Sequence, residues 1–301
     1  MQMSDINSVP VRLVSAAAGV VLLSSLLVLA TPALPQDGHP VDAQFHSFVP
    51  APSDSERPGA TNPSRWQDDM DEARKAYRAR DFVTARIHLE AALENGNRFA
   101  AWYLGHIWRI GLGVEADQSK AVTYYRQVAM DYDPLEPRPG ALDMMVDSLV
   151  RLGDYYRDGS DAAGITKDPA RAYRLYSAAA GHGHPGAQFG LGMMYLKGLG
   201  VAQNTGHALK WMMFAARKRF APAEALLGDL YWDGSVVERD RAQAIKWYML
   251  ASETAGRESP HYDRLESMMA EASDSERLDG RMGAELWADR FPDSRAVRSA
   301  D

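Results

Sequence analysis

The sequence contains no cysteine in 301 residues. That excludes a disulfide framework, a thiolate metal site and a cysteine nucleophile, although it does not identify a compartment. Positive charge is scarce as well: 33 Lys and Arg stand against 40 Asp and Glu, for a formal net charge of −7. Nucleic-acid binders carry a basic footprint, so no nucleic-acid partner is expected. Catalytic signatures are missing. Neither a Gly-x-Ser-x-Gly elbow nor a His-Glu-x-x-His pair occurs, and the chain is not expected to be an enzyme. Long apolar runs are confined to residues 13–30, with no second spanning candidate after them.

That run, LVSAAAGVVLLSSLLVLA, is uncharged, follows Arg12 and is followed by small residues. It reads as an export signal within residues 1–33, with Val28-Leu29-Ala30 or Thr31-Pro32-Ala33 as cleavage triplets. Its length also approaches the ~20 residues that span a bilayer, so an uncleaved membrane anchor stays open. On either reading the rest of the chain is expected outside the cytoplasm. Residues 34–65 hold Pro35, Pro40, Pro50, Pro52, Pro58 and Pro63 among Gly, Ser and Asp, the composition of a mobile linker.

The remainder is organised by a repeat. Leu104-Gly105, Leu152-Gly153, Leu191-Gly192 and Leu227-Gly228 each lead, three residues after the glycine, to an aromatic: Trp108, Tyr156, Tyr195 and Tyr231. A second glycine follows at Gly111, Gly159, Gly198 and Gly234, then Asp117, Asp168, Asn204 and Asp240, each four residues before Ala121, Ala172, Ala208 and Ala244. The Leu-Gly pairs lie 48, 39 and 36 residues apart, a period near 36 with insertions in the earlier units. Apolar positions at helical spacing on both sides of the second glycine predict helix, glycine turn, helix, stacked as a solenoid. A glycine inside a helix costs about 1 kcal/mol against alanine, so four in register imply close helix approach. The second glycines are expected to end the first helices in left-handed backbone, and the Asp and Asn residues to cap the second helices.

Leu-Gly-x-x-Tyr-x-x-Gly-x-Gly-Val, then Asp, Lys-Ala, an aromatic and Ala-Ala, resembles the Sel1-like repeat, a relative of the tetratricopeptide repeat. The resemblance implies an all-α, right-handed α-solenoid over residues 66–291. Its expected parts are a capping repeat at 66–98, repeats at 99–132, 141–183, 186–220 and 223–256, and a C-terminal capping helix at 261–291. Residues 133–140, DPLEPRPG, are expected to be a loop, the helix from Ala141 to be longer than its counterparts, and residues 292–301 to be a disordered tail.

Candidate chemistry is sparse. His182-Gly183-His184 has the residue type of metal ligands but lacks a third nearby ligand and suits an inter-repeat turn. Gly111-x-Gly113 and Gly198-x-Gly200 lack the third glycine and the Lys-Ser/Thr of a phosphate loop. No metal or cofactor is expected. A protein-binding groove is the better candidate, because first helices line the concave side of such solenoids. By phase its residues are Trp102, His106, Arg109, Asp154, Arg157, Phe189, Met193, Lys197, Asp229, Trp232 and Asp233. Aromatics and Arg are favoured at protein contacts, and inter-helix core is the competing place for each.

A narrower resemblance comes from Leu152-Gly153-Asp154-Tyr155-Tyr156-Arg157-x-Gly159 behind a Pro-rich insertion, Ala172-Tyr173-Arg174-Leu175-Tyr176, Ala187-Gln188-Phe189, and Ser259-Pro260 before a terminal segment rich in acidic residues. With the export signal, this layout is similar to the ExoR type of periplasmic Sel1-repeat regulators of exopolysaccharide synthesis in alphaproteobacteria. The resemblance implies a periplasmic protein that binds the sensory domain of a membrane histidine kinase and holds the kinase off. It also implies loss in acid, with a periplasmic protease as a second partner. The alternative is a periplasmic scaffold for polysaccharide or envelope assembly, bound to another envelope protein.

Overall fold

The protein is described by a computed structural model over residues 63–132, 140–256 and 258–292. The export segment, the linker up to residue 62, the insertion at 133–139 and the tail from 293 lie outside the described residues. The described chain is all-α. Its helices are α1 (Pro63–Arg78), α2 (Phe82–Glu94), α3 (Phe99–Ile110), α4 (Gln118–Asp131), α5 (Ala141–Asp158) and α6 (Pro169–Gly181). They continue as α7 (Pro185–Lys197), α8 (Thr205–Ala216), α9 (Ala221–Asp233), α10 (Arg241–Ala255), α11 (Pro260–Glu271) and α12 (Asp274–Arg290). No described helix is long and apolar enough to cross a membrane. The described residues divide into two compact units, one ending at His182 and the other starting at Gly183.

Each repeat is closed by the same two interactions. The capping side chain accepts the backbone N–H three residues on: Asp117 from Lys120, Asp168 from Arg171, Asn204 from His207 and Asp240 from Gln243, at 2.9–3.0 Å. Such a cap is worth about 1 kcal/mol. The N–H of the capping residue itself donates back across the turn to the carbonyl of the first-helix aromatic. Asp117 reaches Trp108 at 2.8 Å, Asp168 reaches Tyr156 at 2.7 Å, Asn204 reaches Tyr195 at 2.9 Å and Asp240 reaches Tyr231 at 3.0 Å. Gly111, Gly198 and Gly234 end their helices in left-handed backbone. Gly159 differs, with φ 77° and ψ 162°, because its turn carries an inserted 3-10 segment, Asp161–Ala163, pinned by paired Ser160–Ile165 backbone bonds at 2.8 and 2.9 Å.

The Leu-Gly glycines sit where the second helix of the same repeat presses closest. A Cβ on Gly105 or Gly153 would stand 2.8 Å from the Tyr125 or Tyr176 ring, and one on Gly228 would overlap the Tyr248 ring. On Gly192 it would meet the flexible Met212 side chain at 2.8 Å. Around these contacts the unit up to His182 buries Tyr77, Leu89, Trp102, Leu104 and Ile107 together. In the unit from Gly183, Met212, Leu227, Leu230, Trp247 and Leu250 form one cluster, and Trp232, Ile245, Tyr248 and Met268 a second. The longer α5, 18 residues against 12 in α3, buries Met144 and Met145 as its sequence implies.

Two boundaries differ from expectation. Helix α1 begins at Pro63 rather than 66, a proline at the first helical position where its missing N–H has no partner to lose. The single C-terminal helix expected at 261–291 is two helices. Ala272 and Ser273 are extended, and Ser273 starts α12 with a reciprocal capping box: its hydroxyl accepts from Glu276 N–H at 3.3 Å, and Glu276 accepts from Ser273 N–H at 2.7 Å. The first pair of helices, which lacks the glycine turn, turns instead at Arg80 with φ 59°.

The glycine contacts separate two substitutions that look alike in sequence. Gly228→Ala is expected to destabilise by about 1–2 kcal/mol, the overlap with a held ring outweighing the gain in helix propensity. Gly192→Ala, which meets Met212 Cγ at 2.8 Å and the Ala208 carbonyl at 3.2 Å, is expected to destabilise less than Gly228→Ala, by about 1 kcal/mol, because an unbranched methionine repacks more readily than a ring. Urea unfolding of both variants followed by circular dichroism checks the order.

Candidate functional site

The structure distributes the sequence-selected residues over three environments. Trp102, His106 and Trp232 are buried, not exposed on a groove. Trp102 and His106 are covered because α5 is long enough to lay Asp147 over α3. Trp232 is enclosed with Ala244, Tyr248, Met268 and Ala272, and the Arg241 guanidinium stacks on its ring at 4.8 Å. Half-buried are Arg109, Asp154, Arg157, Phe189, Met193 and Asp229. Lys197 and Asp233, the last residues of α7 and α9, are exposed.

Several of the half-buried residues are tied to their own repeat. The Tyr176 hydroxyl donates to Asp154 Oδ1 at 2.6 Å and receives Arg157 Nη1 at 2.9 Å. Arg157 also bridges to Asp154 at 3.1 Å and Asp158 at 2.6 Å. At the same register two repeats later, the Tyr248 hydroxyl donates to Asp229 Oδ1 at 2.9 Å, and Arg264 lies 3.7 Å from that oxygen. Burial, then the neighbouring carboxylate, pushes both phenols up, so they stay protonated donors. Burial also raises Asp229, opposed by the Tyr248 bond. Phe189 meets the Phe220 ring at 5.7 Å, and Met193 packs on the cluster of Met212 and Leu230. His184 caps α7, accepting from Ala187 N–H at 3.4 Å, and among the described residues no group of carboxylates and imidazoles is placed to hold a metal ion.

Two buried ionic centres carry most of the unusual electrostatics, and sequence phase alone did not assemble either. In the unit up to His182, Asp147 accepts from Trp102 Nε1 at 2.9 Å and from Arg151 Nη2 at 3.0 Å, and lies 3.2 Å from His106 Nε2. His106 is neutral there: burial depresses it to about 4, against the pull of Asp147, while Arg151 and Arg109 add to the depression. Its Nδ1 is buried without a hydrogen-bond partner, which fits a neutral ring donating through Nε2. Asp147 is a buried carboxylate in a stretch that also buries Met144, Met145, Val146 and Val150, and such a residue signals a partner across the helix pair.

In the unit from Gly183, Arg219 is buried with φ 53°. Its Nε donates to Glu224 at 3.0 Å, and Nη2 donates to Glu253 at 2.8 Å, Thr254 Oγ1 at 3.1 Å and the Leu250 carbonyl at 3.3 Å. The Thr254 hydroxyl donates to Glu224 Oε2 at 3.2 Å. Burial pushes the Glu224 carboxyl up to about 7 although Arg219 opposes it. Removing one member of such a pair leaves a buried charge uncompensated, so this centre fastens α9 to α10. Neither centre opens on a nucleophile or an acid–base pair facing solvent; both hold helices together.

Residues 98–131, 146–184, 185–219 and 221–253 match the Sel1 repeat family model. These segments are Sel1 repeats. The exopolysaccharide production negative regulator of Rhizobium meliloti (strain 1021) is 31% identical over 154 residues, 51% of this chain and 52% of that protein. The regulator of the same name from Rhizobium leguminosarum bv. viciae is 30% identical over 139 residues, 46% of this chain and 51% of that protein. The chain thus spans about half the length of these curated relatives. The crystal structure of a Sel1 repeat protein from Oxalobacter formigenes matches 80% of this chain and 91% of its own, with a TM-score of 0.55 and 22% identity, a likeness of fold. Sel1 repeats are a protein-interaction scaffold, and the four matches coincide with the four Leu-Gly units.

The two centres respond to acid in opposite senses. An unfolded chain protonates His106 near 6.5, and the folded chain only near 4. Between these values the unfolded state binds more protons, so stability falls as pH falls, by about 3 kcal/mol across the window. Glu224 protonates near 7 when folded and near 4.5 when unfolded, so acid favours the folded state there. Hydrogen exchange of the full chain at pH 7 and pH 5 is expected to show faster opening of α3–α5 in acid but not of α9–α10, and His106→Gln is expected to abolish the acid effect on α3–α5.

Proposed function

We propose that the chain is an exported negative regulator that binds the periplasmic sensory domain of a membrane histidine kinase, holds the kinase off, and so restrains exopolysaccharide genes. The carrying observation is the identity of 31% and 30% to two exopolysaccharide production negative regulators, joined to an array of Sel1 repeats. The role needs binding surface and no catalytic group or cofactor. Repeat arrays are held by nearest-neighbour contacts, so one part opens without the rest. The neutral, buried His106 supports acid release: protonation weakens α3–α5, the kinase domain dissociates, and a periplasmic protease gains access to the opened repeats.

The experiment is calorimetric titration of the full chain, in mild detergent, with the periplasmic domain of a candidate kinase of the same organism at pH 7 and pH 5.5. Binding at about 1 µM or tighter (roughly −8 kcal/mol) at pH 7 and at least tenfold weaker binding in acid is the expected result. A folded chain that binds at neither pH overturns kinase repression by that partner. In a deletion strain, exopolysaccharide transcripts are expected to rise; level transcripts with altered envelope assembly would favour the scaffold reading instead.

A further inference from the structure

Helix α12 has two unlike faces. On one, Gly280 lies against Ile245, Ala284 is buried, and Trp287 meets the Trp247 ring edge-on at 4.8 Å. On the other, Leu278, Met282 and Leu286 are 58%, 52% and 69% exposed. Their four-residue spacing makes them one row along the helix. Large apolar side chains gathered in a row on a surface mark an interaction site more often than single ones do.

The next position in that row is Arg290, and there the character changes to cationic. The Arg290 guanidinium carbon lies 5.6 Å from the Phe291 ring centre, and Arg217 lies 5.7 Å from the same ring. Arg217 is also 5.5 Å from Phe214, whose ring has Lys210 Nζ at 5.9 Å. Lys210, Arg217 and Arg290 are all exposed, and among the described residues none of them has a carboxylate within 4.0 Å. Arg219, Arg264 and Arg277 of the same unit each have one. On a chain with net charge −7, three cations held on aromatic rings and left without counter-charge form a pre-arranged positive patch.

We propose that the Leu278–Met282–Leu286 row and the Lys210, Arg217 and Arg290 cluster form one docking surface for an amphipathic helix of a partner protein, its apolar residues on the row and a group of carboxylates at one end on the cations. The inference rests on the reading that the chain acts by binding protein, and it adds the place and the chemistry of the partner. An apolar row alone fits many occupants; the unpaired cations at its end select one that carries negative charge there. Charge matching of this kind sets orientation and partner choice, and packing of one apolar helix row against another supplies the contact area.

The probe is a fluorescent helical peptide with leucines four residues apart and three glutamates at its C-terminal end, with a control carrying glutamines instead. Anisotropy titrations with the full chain in mild detergent are expected to show at least tenfold tighter binding of the acidic peptide. Arg217→Glu with Arg290→Glu is expected to erase that preference, and Met282→Ser with Leu286→Ser to weaken both peptides at least tenfold. Equal affinity for the two peptides, or wild-type preference in the charge-reversed variant, overturns the proposal. So does light scattering that shows a dimer made monomeric by the serine pair, which would assign the row to a second copy. Tighter binding to anionic phosphatidylglycerol vesicles than to the acidic peptide would assign it to lipid and overturn it equally. A kinase domain that binds wild type and the charge-reversed variant alike sinks this surface and leaves the regulator standing; acidic-peptide binding without kinase binding does the reverse.

Discussion

A tyrosine ring laid on the bare Cα of a glycine sets the distance between the two helices of a repeat. Gly105 under Tyr125, Gly153 under Tyr176 and Gly228 under Tyr248 repeat that contact, with Met212 taking the ring's place over Gly192. A side chain at Gly105, Gly153 or Gly228 would have to displace the ring it meets, and close packing does not absorb such a change without strain. Two of these tyrosines, Tyr176 and Tyr248, also present their hydroxyls to the residue just after the glycine, Asp154 and Asp229. The glycine brings the helices together, and the aspartate fastens them.

That register position shows how one scaffold carries different chemistry. After the Leu-Gly pair stand His106, Asp154, Met193 and Asp229. Two of the four are carboxylates spent on a phenol, one is an apolar filler, and one is a neutral imidazole shared with Asp147 from the next first helix. The fold tolerates all four because the backbone contacts are made elsewhere, by the caps and the glycine turns. The repeat signature therefore fixes the fold and leaves this position free to carry different chemistry.

The periodic part of the fold was legible because its causes are local. The four capping residues, the turn glycines and the longer α5 all follow from spacing that a single repeat enforces on itself. What the spacing did not disclose is who covers whom. Trp102 and His106 have the phase of an exposed face, yet α5 extends over them, and Trp232 is closed in by Met268 and Ala272 from α11. Non-local cover of that kind depends on helix length and on the terminal helices, where the pattern lapses. The break at Ser273 was written in Ser273-Asp274-Ser275-Glu276, a capping box that a continuous amphipathic reading passes over. The exposed row on α12 was likewise hidden among the residues of an assumed single helix.

The closing bond from capping residue to first-helix aromatic spans nine residues in three of the repeats, Trp108 to Asp117, Tyr195 to Asn204 and Tyr231 to Asp240, and twelve in the other, Tyr156 to Asp168. The bond is 2.7 Å in the longer turn, no weaker than in the shorter ones. The additional residues are taken up by the small 3-10 turn and its own backbone pairing. Such a turn is a graft point: foreign sequence entered between Asp161 and Gly164 is carried on a loop whose two ends are already tied, so new surface is added to the array without altering its spacing.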